Sequence, residues 1–362
     1  MRKLIYITND GWWDTDISLL PQLTKDYDVE VYVVSHAEIG KNKYPQKVLP
    51  KGIKLHNLSF ERSKKDIRTL FYSIIYSLKL VYVTYNKLVF WETDINPYYS
   101  IPFMFLVKHN RTIVSFHDYL LHIDAPKWQK KLRDLFVRKF EYFHFHSQIQ
   151  EQEFKKENYK KISFSTVMPP KSFGRPTGKT FFDNTKRTFL FFGFIRDYKR
   201  LDLFIQAANK YNKIANFIIA GNCKDWFKYE KLINSSSPNI LCHIRFVKNE
   251  EIADYFCQSN FLVLPYDDST QSGPLLTAYY YNLPTIASNL PYFKGMIEDN
   301  CDGFLFTQGS ASDFMDKIDR AIKMNDKEYN NMKHELEKRV VEYSKQSNFC
   351  EMLSQFIEKH SL

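Results

Sequence analysis

The sequence has few of the residues that define a disulfide-bonded, zinc-binding or fibrous protein. Its five cysteines are odd in number and no two form a Cys-x-x-Cys pair, which argues against a disulfide framework and a structural zinc site. Eleven glycines and fourteen prolines are too few for a collagen-like or linker-dominated chain. We therefore expect a globular protein of a reducing compartment, the cytoplasm.

Long hydrophobic runs are also missing. The apolar run that begins at Leu4 stops at Asn9, so we expect no signal peptide. The longest apolar stretches, near residues 71–78 and 101–107, are much shorter than a membrane span. A soluble or peripheral protein is expected, with two domains, because 362 residues exceed what one core ordinarily holds.

Positive charge is in excess and unevenly placed. The formal net charge is +10, and residues 1–170 contain 26 Lys and Arg against 18 Asp and Glu. A basic first half predicts contact with an anionic partner, for which nucleic acid, a phospholipid surface and a phosphorylated substrate all fit. We expect no nucleic acid partner, because no nucleic-acid-binding module is recognisable.

Short β-like runs alternate with helix-length segments along the whole chain. This rhythm predicts an α/β fold with two Rossmann-like, doubly wound parallel sheets, in domains 1–170 and 171–345, that face a cleft. The runs lie at residues 4–8, 29–35, 88–91, 112–116, 142–146 and 162–167, and at 188–192, 217–220, 240–246, 261–265, 285–287 and 304–306.

Two strand-to-helix loops in the second half have the residues of an anion site. Gly193 ends a predicted strand and is followed by Arg196 and Lys199, two cations that suit a diphosphate. The alternative is a solvated basic loop. Further on, Ser272 and Gly273 open a helix whose first N–H groups would point at an anion, although an ordinary helix cap has the same residues.

These stretches, in this order, resemble the retaining GT-B glycosyltransferases of the GT4-type family (glycosyl transferases group 1). Gly193 to Lys199 is similar to the family's Gly-x(5)-Lys donor-phosphate loop, and 217–221 to its Ile-Ala-Gly strand. Residues 245–260 resemble its base-binding turn and helix, and 282–288 its Gly-x-Pro-Val-Ile-Ala-Ser strand. The resemblance implies the GT-B architecture, an acceptor-side domain 1–170, a nucleotide-sugar domain 171–345 and a helix 346–362 that crosses back to the first domain.

One departure concerns two glutamates, eight residues apart, that most of the family has. Here Ser269 and Thr277 stand in their places, which makes this chain a variant and leaves the donor's identity open. Thr277 would bond the donor ribose without a charge, and Asp267 or Asp268 would reach the sugar hydroxyls. The donor-binding residues implied by the resemblance are Gly193, Asn222, Val247, Asp268, Gln271, Ser272, Gly273 and Thr277.

In the first domain, His117 and Asp118 follow a predicted strand. A histidine there would bond the transferred sugar or the acceptor, as in many family members, or would be held by Asp118 for structure alone. Gly11 and Trp12 follow the first strand, where the family has a glycine-rich loop near the acceptor. The Trp12–Trp13 pair would stack on a sugar or lipid, or close the loop.

No metal is expected, and therefore no cofactor besides the donor, a UDP- or GDP-sugar. Two acidic pairs, Asp14–Asp16 and 92–94, have the spacing of a metal-binding Asp-x-Asp motif. The first suits a helix N-terminus better than a metal loop. Arg196 and Lys199, with His117, are the predicted catalytic residues, because two cations neutralise a leaving diphosphate.

The expected activity is transfer of a hexose-type sugar from the donor to an acceptor hydroxyl with retention, in bacterial surface polysaccharide assembly (capsule, exopolysaccharide or O-antigen). The acceptor would be a glycan, free or linked to polyprenyl diphosphate. A nucleotide-sugar epimerase of the same architecture is the alternative.

An anionic membrane surface is one partner that the basic first half would fit. The segment 127–140 has six basic residues and one acid, and its apolar residues Trp128, Leu132, Leu135 and Phe136 share one helix face. This face would lie on the inner surface of the membrane, or would pack on the sheet. The protein is thus expected to be cytoplasmic, either free or peripheral at the inner face of the membrane.

Overall fold

The structure, a computed structural model, describes residues 1–36, 52–60, 67–93, 97–121, 127–182, 185–233 and 239–362. Its contacts divide the chain into two compact units. Unit 1 comprises residues 1–169 together with the C-terminal residues 346–362, and unit 2 comprises residues 170–345.

Unit 1 is built on a seven-stranded sheet in the order β3-β2-β1-β4-β5-β6-β7, in which every neighbouring pair is parallel. Parallel strands need crossover connections, and the helices between the strands supply them. The strands are β1 (Arg2–Asn9), β2 (Tyr27–His36), β3 (Lys54–Phe60), β4 (Leu88–Thr93), β5 (Thr112–Phe116), β6 (Tyr142–Phe145) and β7 (Ile162–Ser165).

Unit 2 repeats this plan with a six-stranded parallel sheet in the order β10-β9-β8-β11-β12-β13. The predicted α/β class with two parallel sheets is thereby confirmed. The strands are β8 (Thr188–Phe192), β9 (Asn216–Ala220), β10 (Ile240–His243), β11 (Phe261–Leu264), β12 (Thr285–Ser288) and β13 (Gly303–Phe306).

The helices cover both faces of each sheet. In chain order they are α1 (Trp13–Leu23), α2 (Ile67–Thr84), α3 (Pro97–Leu106), α4 (Lys127–Lys139), α5 (Gln148–Glu157), α6 (Leu201–Tyr211), α7 (Phe227–Glu230), α8 (Asn249–Cys257), α9 (Gly273–Tyr280), α10 (Pro291–Met296), α11 (Ala311–Lys323), α12 (Asp326–Gln346) and α13 (Phe349–Lys359).

Alternate residues of β4 belong to two apolar clusters, one on each face of the unit 1 sheet. Val89 and Trp91 belong to a cluster with α3 and α4, whereas Leu88 and Phe90 belong to a second cluster with α1 and α13. Successive side chains of a strand point to opposite faces, so both faces must be apolar where helices cover both. The final helix α13 is therefore part of the core of unit 1.

The structure corrects several sequence predictions. The strand β3 was missed, and four predicted strands end earlier than expected. These are the strands predicted at 142–146, 162–167, 240–246 and 261–265, which end at Phe145, Ser165, His243 and Leu264. On α4, Leu132 and Phe136 are buried and Leu135 packs against the same core, while Trp128 is exposed. The apolar stripe of α4 thus faces the sheet and not a membrane, because it covers the buried face of strands β4 and β5.

Candidate functional site

In unit 2, two glycines follow β8 and β9 at the place where the backbones of these strands approach each other closely. Gly193 has a φ of +107°, and a Cβ atom on Gly221, whose φ is +152°, would lie 1.9 Å from the Gly193 carbonyl oxygen. The Gly193 N–H donates to the Ala220 carbonyl at 2.9 Å, and the Ile195 N–H donates to that of Asn222 at 2.9 Å. Only glycine fits this backbone approach, which fixes the path of the loop that follows β8.

The side chain of Lys199 is buried beside this loop. Its Nζ lies 3.6 Å from the position of a Cβ on Gly193, and Pro274 Cγ of α9 lies 3.6 Å from the same point. Burial, with the charge of Arg196, lowers the pKa of Lys199 to about 7. Within the part of the chain that the structure describes, no carboxylate contributes to that pKa, so the ammonium has no ionic partner here.

The start of α9 lies beside the same glycine. Ser272 is its N-cap and accepts a hydrogen bond from the Leu275 N–H at 3.3 Å, as the sequence predicts for a capping serine. The buried Lys171 donates its N–H to the Leu276 carbonyl, and its Nζ lies 3.8 Å from the Cβ position of Gly273. A helix N-terminus and two lysines therefore converge, an arrangement suited to an anion.

The remaining predicted donor-binding residues differ in how far their side chains are exposed. Thr277 is buried and donates its hydroxyl to the Gly273 carbonyl at 3.0 Å, within the first turns of α9. Asn222 is exposed next to Gly221, whereas Val247 is buried. The half-buried Asp268 and Gln271 lie in the loop before α9.

The sequence also predicts that Asp267 and Arg196 face the donor. Asp267 is paired with Arg200, at 3.4 Å, so its carboxylate is already engaged. The side chain of Arg196 is exposed at the start of the turn that contains Lys199.

In unit 1, a buried carboxylate meets two histidines at the carboxyl ends of neighbouring strands. Glu92 near the end of β4 lies 2.8 Å from His146 Nε2 through Oε1, and 3.2 Å from His117 Nε2 through Oε2. All three side chains are buried. The sheet register explains the meeting, since Glu92 pairs with Ser115 of β5, and Ser115 pairs with His144 of β6.

The electrostatics of this group favour an ionised carboxyl beside a neutral His117. Burial opposes the charge of Glu92, but the two histidines outweigh it and hold the pKa of Glu92 well below its usual range. Burial and the neighbouring His146 lower the pKa of His117. Burial likewise holds the pKa of His144 well below its usual range, and its Nδ1 lies 2.8 Å from the Ser115 hydroxyl.

The ring of His117 also stacks on Trp12. Their centroids are 3.9 Å apart with an interplanar angle of 6°, which brings two predicted site residues into direct contact. Gly11 is exposed in the loop before α1, where its N–H donates to the Asn9 side-chain oxygen at 2.7 Å. Asp118 follows His117 and is half-buried.

Asp16 and Glu92, one from each acidic pair, have partners within the protein, whereas Asp94 lies outside the described residues. Asp16 lies inside α1 and accepts hydroxyl hydrogen bonds from Tyr6 and Thr8, at 2.7 and 2.6 Å. Glu92, His117 and His146 have the ligand types and closeness of a metal site, the one such group in the described ranges. The 2.8 Å contact of Glu92 with His146 has hydrogen-bond geometry, whereas the 3.2 Å contact with His117 is an ion-pair distance without that geometry.

Comparison with known proteins finds a family match for most of unit 2. Residues 177–345 match the family model described as glycosyl transferases group 1. The chain is a GT-B glycosyltransferase. No curated protein sequence matches it significantly.

Several solved structures share the fold of this glycosyltransferase over nearly the whole chain. Sucrose-phosphate synthase from Thermosynechococcus elongatus has a TM-score of 0.74 at 9% identity, covering 99% of both chains. Staphylococcus aureus TarM scores 0.72 at 15% identity, covering 98% of this chain and 100% of its own. Anabaena HepE scores 0.72 at 13% identity, with the same coverage.

The site of the glycosyltransferase includes residues that sequence reasoning missed. In the strand predicted at 142–146, His144 and His146 are two residues apart and so share one face, and that pattern was the available signal, although β6 ends at Phe145 and His146 follows it. Glu92 was considered only as part of an acidic pair. Lys171 lies in a turn-rich segment about a hundred residues from Gly273, so no local pattern connects the two.

Proposed function

We propose that this glycosyltransferase moves a hexose-type sugar from a UDP- or GDP-sugar to an acceptor hydroxyl, with retention at the anomeric carbon and without a metal ion. The observation that carries the proposal is the buried ammonium of Lys199, which lies beside Gly193 and the start of α9 without a carboxylate partner among the described residues. Such a cation is poised for the diphosphate of the donor.

The reaction breaks the bond between C1 of the sugar and the diphosphate oxygen and forms a bond from C1 to the acceptor oxygen. The acceptor's proton passes to the departing phosphate on the same face of the sugar. Negative charge grows on the leaving phosphate, so Lys199, Arg196 and the first N–H groups of α9 bind it more tightly in the transition state than in the ground state.

The unit 1 residues would serve the sugar and the acceptor. A neutral His117, held by Glu92 and stacked on Trp12, is able to hydrogen-bond a sugar hydroxyl without bringing a positive charge. Gly11, Trp12 and Asp118 are proposed on the acceptor side. Thr277 is proposed for the donor ribose, through the lone pairs that its bond to Gly273 leaves available.

The ligands of the similar structures support UDP and a glycan acceptor. TarM is described in complex with UDP and alpha-GlcNAc-glycerol, and HepE in complex with UDP and glucose. We propose an acceptor that is a glycan, free or linked to polyprenyl diphosphate, in bacterial surface polysaccharide assembly. This role places the protein in the cytoplasm, with peripheral association at the inner face of the membrane.

Ligand-induced thermal stabilisation tests the donor site. UDP or GDP should raise the midpoint of unfolding, because a ligand of the native state stabilises it, whereas CMP should not. Lys199→Ala should lose this shift, and the matched variant Lys210→Ala, an exposed lysine on α6, should keep it. Equal shifts in wild type and Lys199→Ala would contradict the proposal.

Turnover tests the catalytic roles. Arg196→Ala and Lys199→Ala should each lower the transfer rate by about 10²-fold, the effect of losing one charge-stabilising donor. EDTA should leave the rate unchanged. Restoration of an EDTA-inhibited enzyme by Mg²⁺ or Mn²⁺ would overturn the metal-independent mechanism.

A further inference from the structure

Unit 1 has a large apolar surface on α2 and α3. Ten apolar or aromatic side chains there are more than a third exposed, and the exposed fraction reaches 64% at Phe71 and 81% at Tyr82. This α2–α3 surface consists of Phe71, Tyr72, Ile74, Ile75, Leu78, Tyr82 and the adjoining Tyr85, with Ile101, Phe105 and Leu106 of α3. A contiguous set of this kind on a folded protein marks an interaction site.

The amphipathic pattern of α2 is inverted. Phe71, Ile75, Leu78 and Tyr82 recur at helical spacing along its exposed side. Among the described residues of α2, the fully buried ones are mostly small and polar (Thr69, Ser73, Ser77, Leu80 and Thr84), and Tyr76, Val81 and Val83 pack against the core while partly buried. The Ser77 and Thr84 hydroxyls bond to carbonyls four residues earlier, at 2.8 and 2.7 Å. Helices in a bilayer likewise pack through small residues and turn large apolar ones to the lipid.

Basic residues border the α2–α3 surface. Lys108 Nζ lies 4.5 Å from the ring centroid of Tyr85, and Lys139 Nζ lies 4.5 Å from that of Phe105. Lys79 is exposed on α2 itself, and Arg111 is exposed close by, where it donates to the Asn86 carbonyl. Neither α2 nor α3 has an acidic residue.

The basic residues around the α2–α3 surface indicate which kind of partner it binds. A second copy of the chain would bring a second set of lysines to the same apolar contact, with no acid on α2 or α3 to pair with them. An anionic lipid surface supplies both the apolar phase and the negative charge. Since none of the described helices is long and apolar enough to cross a bilayer, the contact would be a shallow one.

We propose that the α2–α3 surface docks on an anionic lipid bilayer, with its apolar side chains in the interface and Lys79, Lys108, Arg111 and Lys139 at the headgroups. Long basic side chains suit this position because their stems lie along apolar surface while their charges reach the phosphates. The exposed basic residues of α4 add to the attraction, although the apolar stripe of that helix is buried. The inference does not require the transfer activity.

Co-sedimentation of the full chain with vesicles tests this inference. Vesicles of equal parts phosphatidylglycerol and phosphatidylcholine should bind the chain at low salt, and phosphatidylcholine alone should not. Phe71→Ser with Leu78→Ser should weaken binding by about tenfold or more, because two apolar anchors are lost. Phe227→Ser, which changes a still more exposed phenylalanine in unit 2, should not. A second variant, Lys79→Glu with Lys139→Glu, should weaken binding to the anionic vesicles without touching the apolar contact.

Three results would overturn the proposal. The chain fails to bind the anionic vesicles at low salt, or both double variants bind as wild type does. Alternatively, light scattering shows a dimer that Phe71→Ser with Leu78→Ser dissociates, which would assign the surface to a second copy. Unchanged thermal midpoints in the variants would show that lost binding is not lost folding.

Discussion

Donor binding should take up a proton, because the ammonium that would meet the diphosphate is buried in the ligand-free chain. The pKa of Lys199 is about 7, so at pH 8 roughly nine chains in ten have a neutral amine. A diphosphate close to Nζ favours the charged form and returns this pKa toward its ordinary value. Binding at pH 8 should therefore be accompanied by uptake of about 0.9 proton, and affinity should fall by about tenfold for each pH unit above 7.

Calorimetry measures this uptake directly. The donor is titrated at pH 8 in two buffers of different ionisation enthalpy, and the difference in apparent binding enthalpy gives the number of protons. A sugar nucleotide is the right ligand because its diphosphate is esterified at both ends and does not titrate in this range, unlike the terminal phosphate of UDP.

Three variants test whether Lys199 is the residue that takes up the proton. Lys199→Met should abolish the uptake, whereas Lys210→Met should leave it intact. Arg196→Met should reduce it, because loss of a neighbouring positive charge raises the pKa of Lys199 in the free chain. Uptake near zero in the wild type, or uptake that survives in Lys199→Met, would refute the reasoning.

Three further variants test the architecture. Gly221→Ala should lower the free energy of unfolding by more than about 2 kcal/mol, measured with urea, because its Cβ would lie 1.9 Å from a carbonyl oxygen; Gly295→Ala, with open space around it, should not. Glu92→Gln should lower the free energy of unfolding by about 1–3 kcal/mol at pH 7, since it removes the buried carboxylate that His146 bonds. The difference in free energy of unfolding between wild type and this variant should narrow as the pH falls below about 4. The pKa of Glu92 is lowered in the folded chain, so its ionised form stabilises the fold at neutral pH, and this stabilisation is lost when the carboxylate is protonated in acid. Deleting α13 by truncation after Ser344 should remove near-ultraviolet circular dichroism from unit 1, because Phe349 and Leu353 lie in its core; an unchanged spectrum would contradict this packing.

The sheets could be predicted from the sequence because most of their strands are buried on both faces. All four residues of β11 are buried, and such short apolar runs between helices are visible without a structure. Strand β3 was missed because it lies at the edge of the sheet, where only Leu58 and Phe60 of its seven residues are buried. The buried stripe of α4 and the inverted pattern of α2 could not be told apart from the sequence, because periodicity gives the apolar face of a helix but not what covers it.

The site was predictable where its residues are neighbours in the chain. Gly193 to Lys199 and Ser272 to Thr277 each form one loop and helix start, with a spacing that local patterns preserve. Contacts made across the sheet were not predictable, since Glu92 meets His146 only through the register of β4, β5 and β6. The same is true of Lys171, which reaches α9 through the fold of unit 2.

The central claim, transfer from a nucleoside diphosphate sugar, is tested most directly by mass spectrometry of a panel of UDP- and GDP-sugars incubated with the chain, with and without candidate glycan acceptors. One donor should be converted to its nucleoside diphosphate, with a glycosylated product that appears only when an acceptor is present. Lys199→Ala should reduce that product by about 10²-fold. Conversion of a donor to an isomeric sugar nucleotide without any acceptor, or full product formation by Lys199→Ala, would contradict the account.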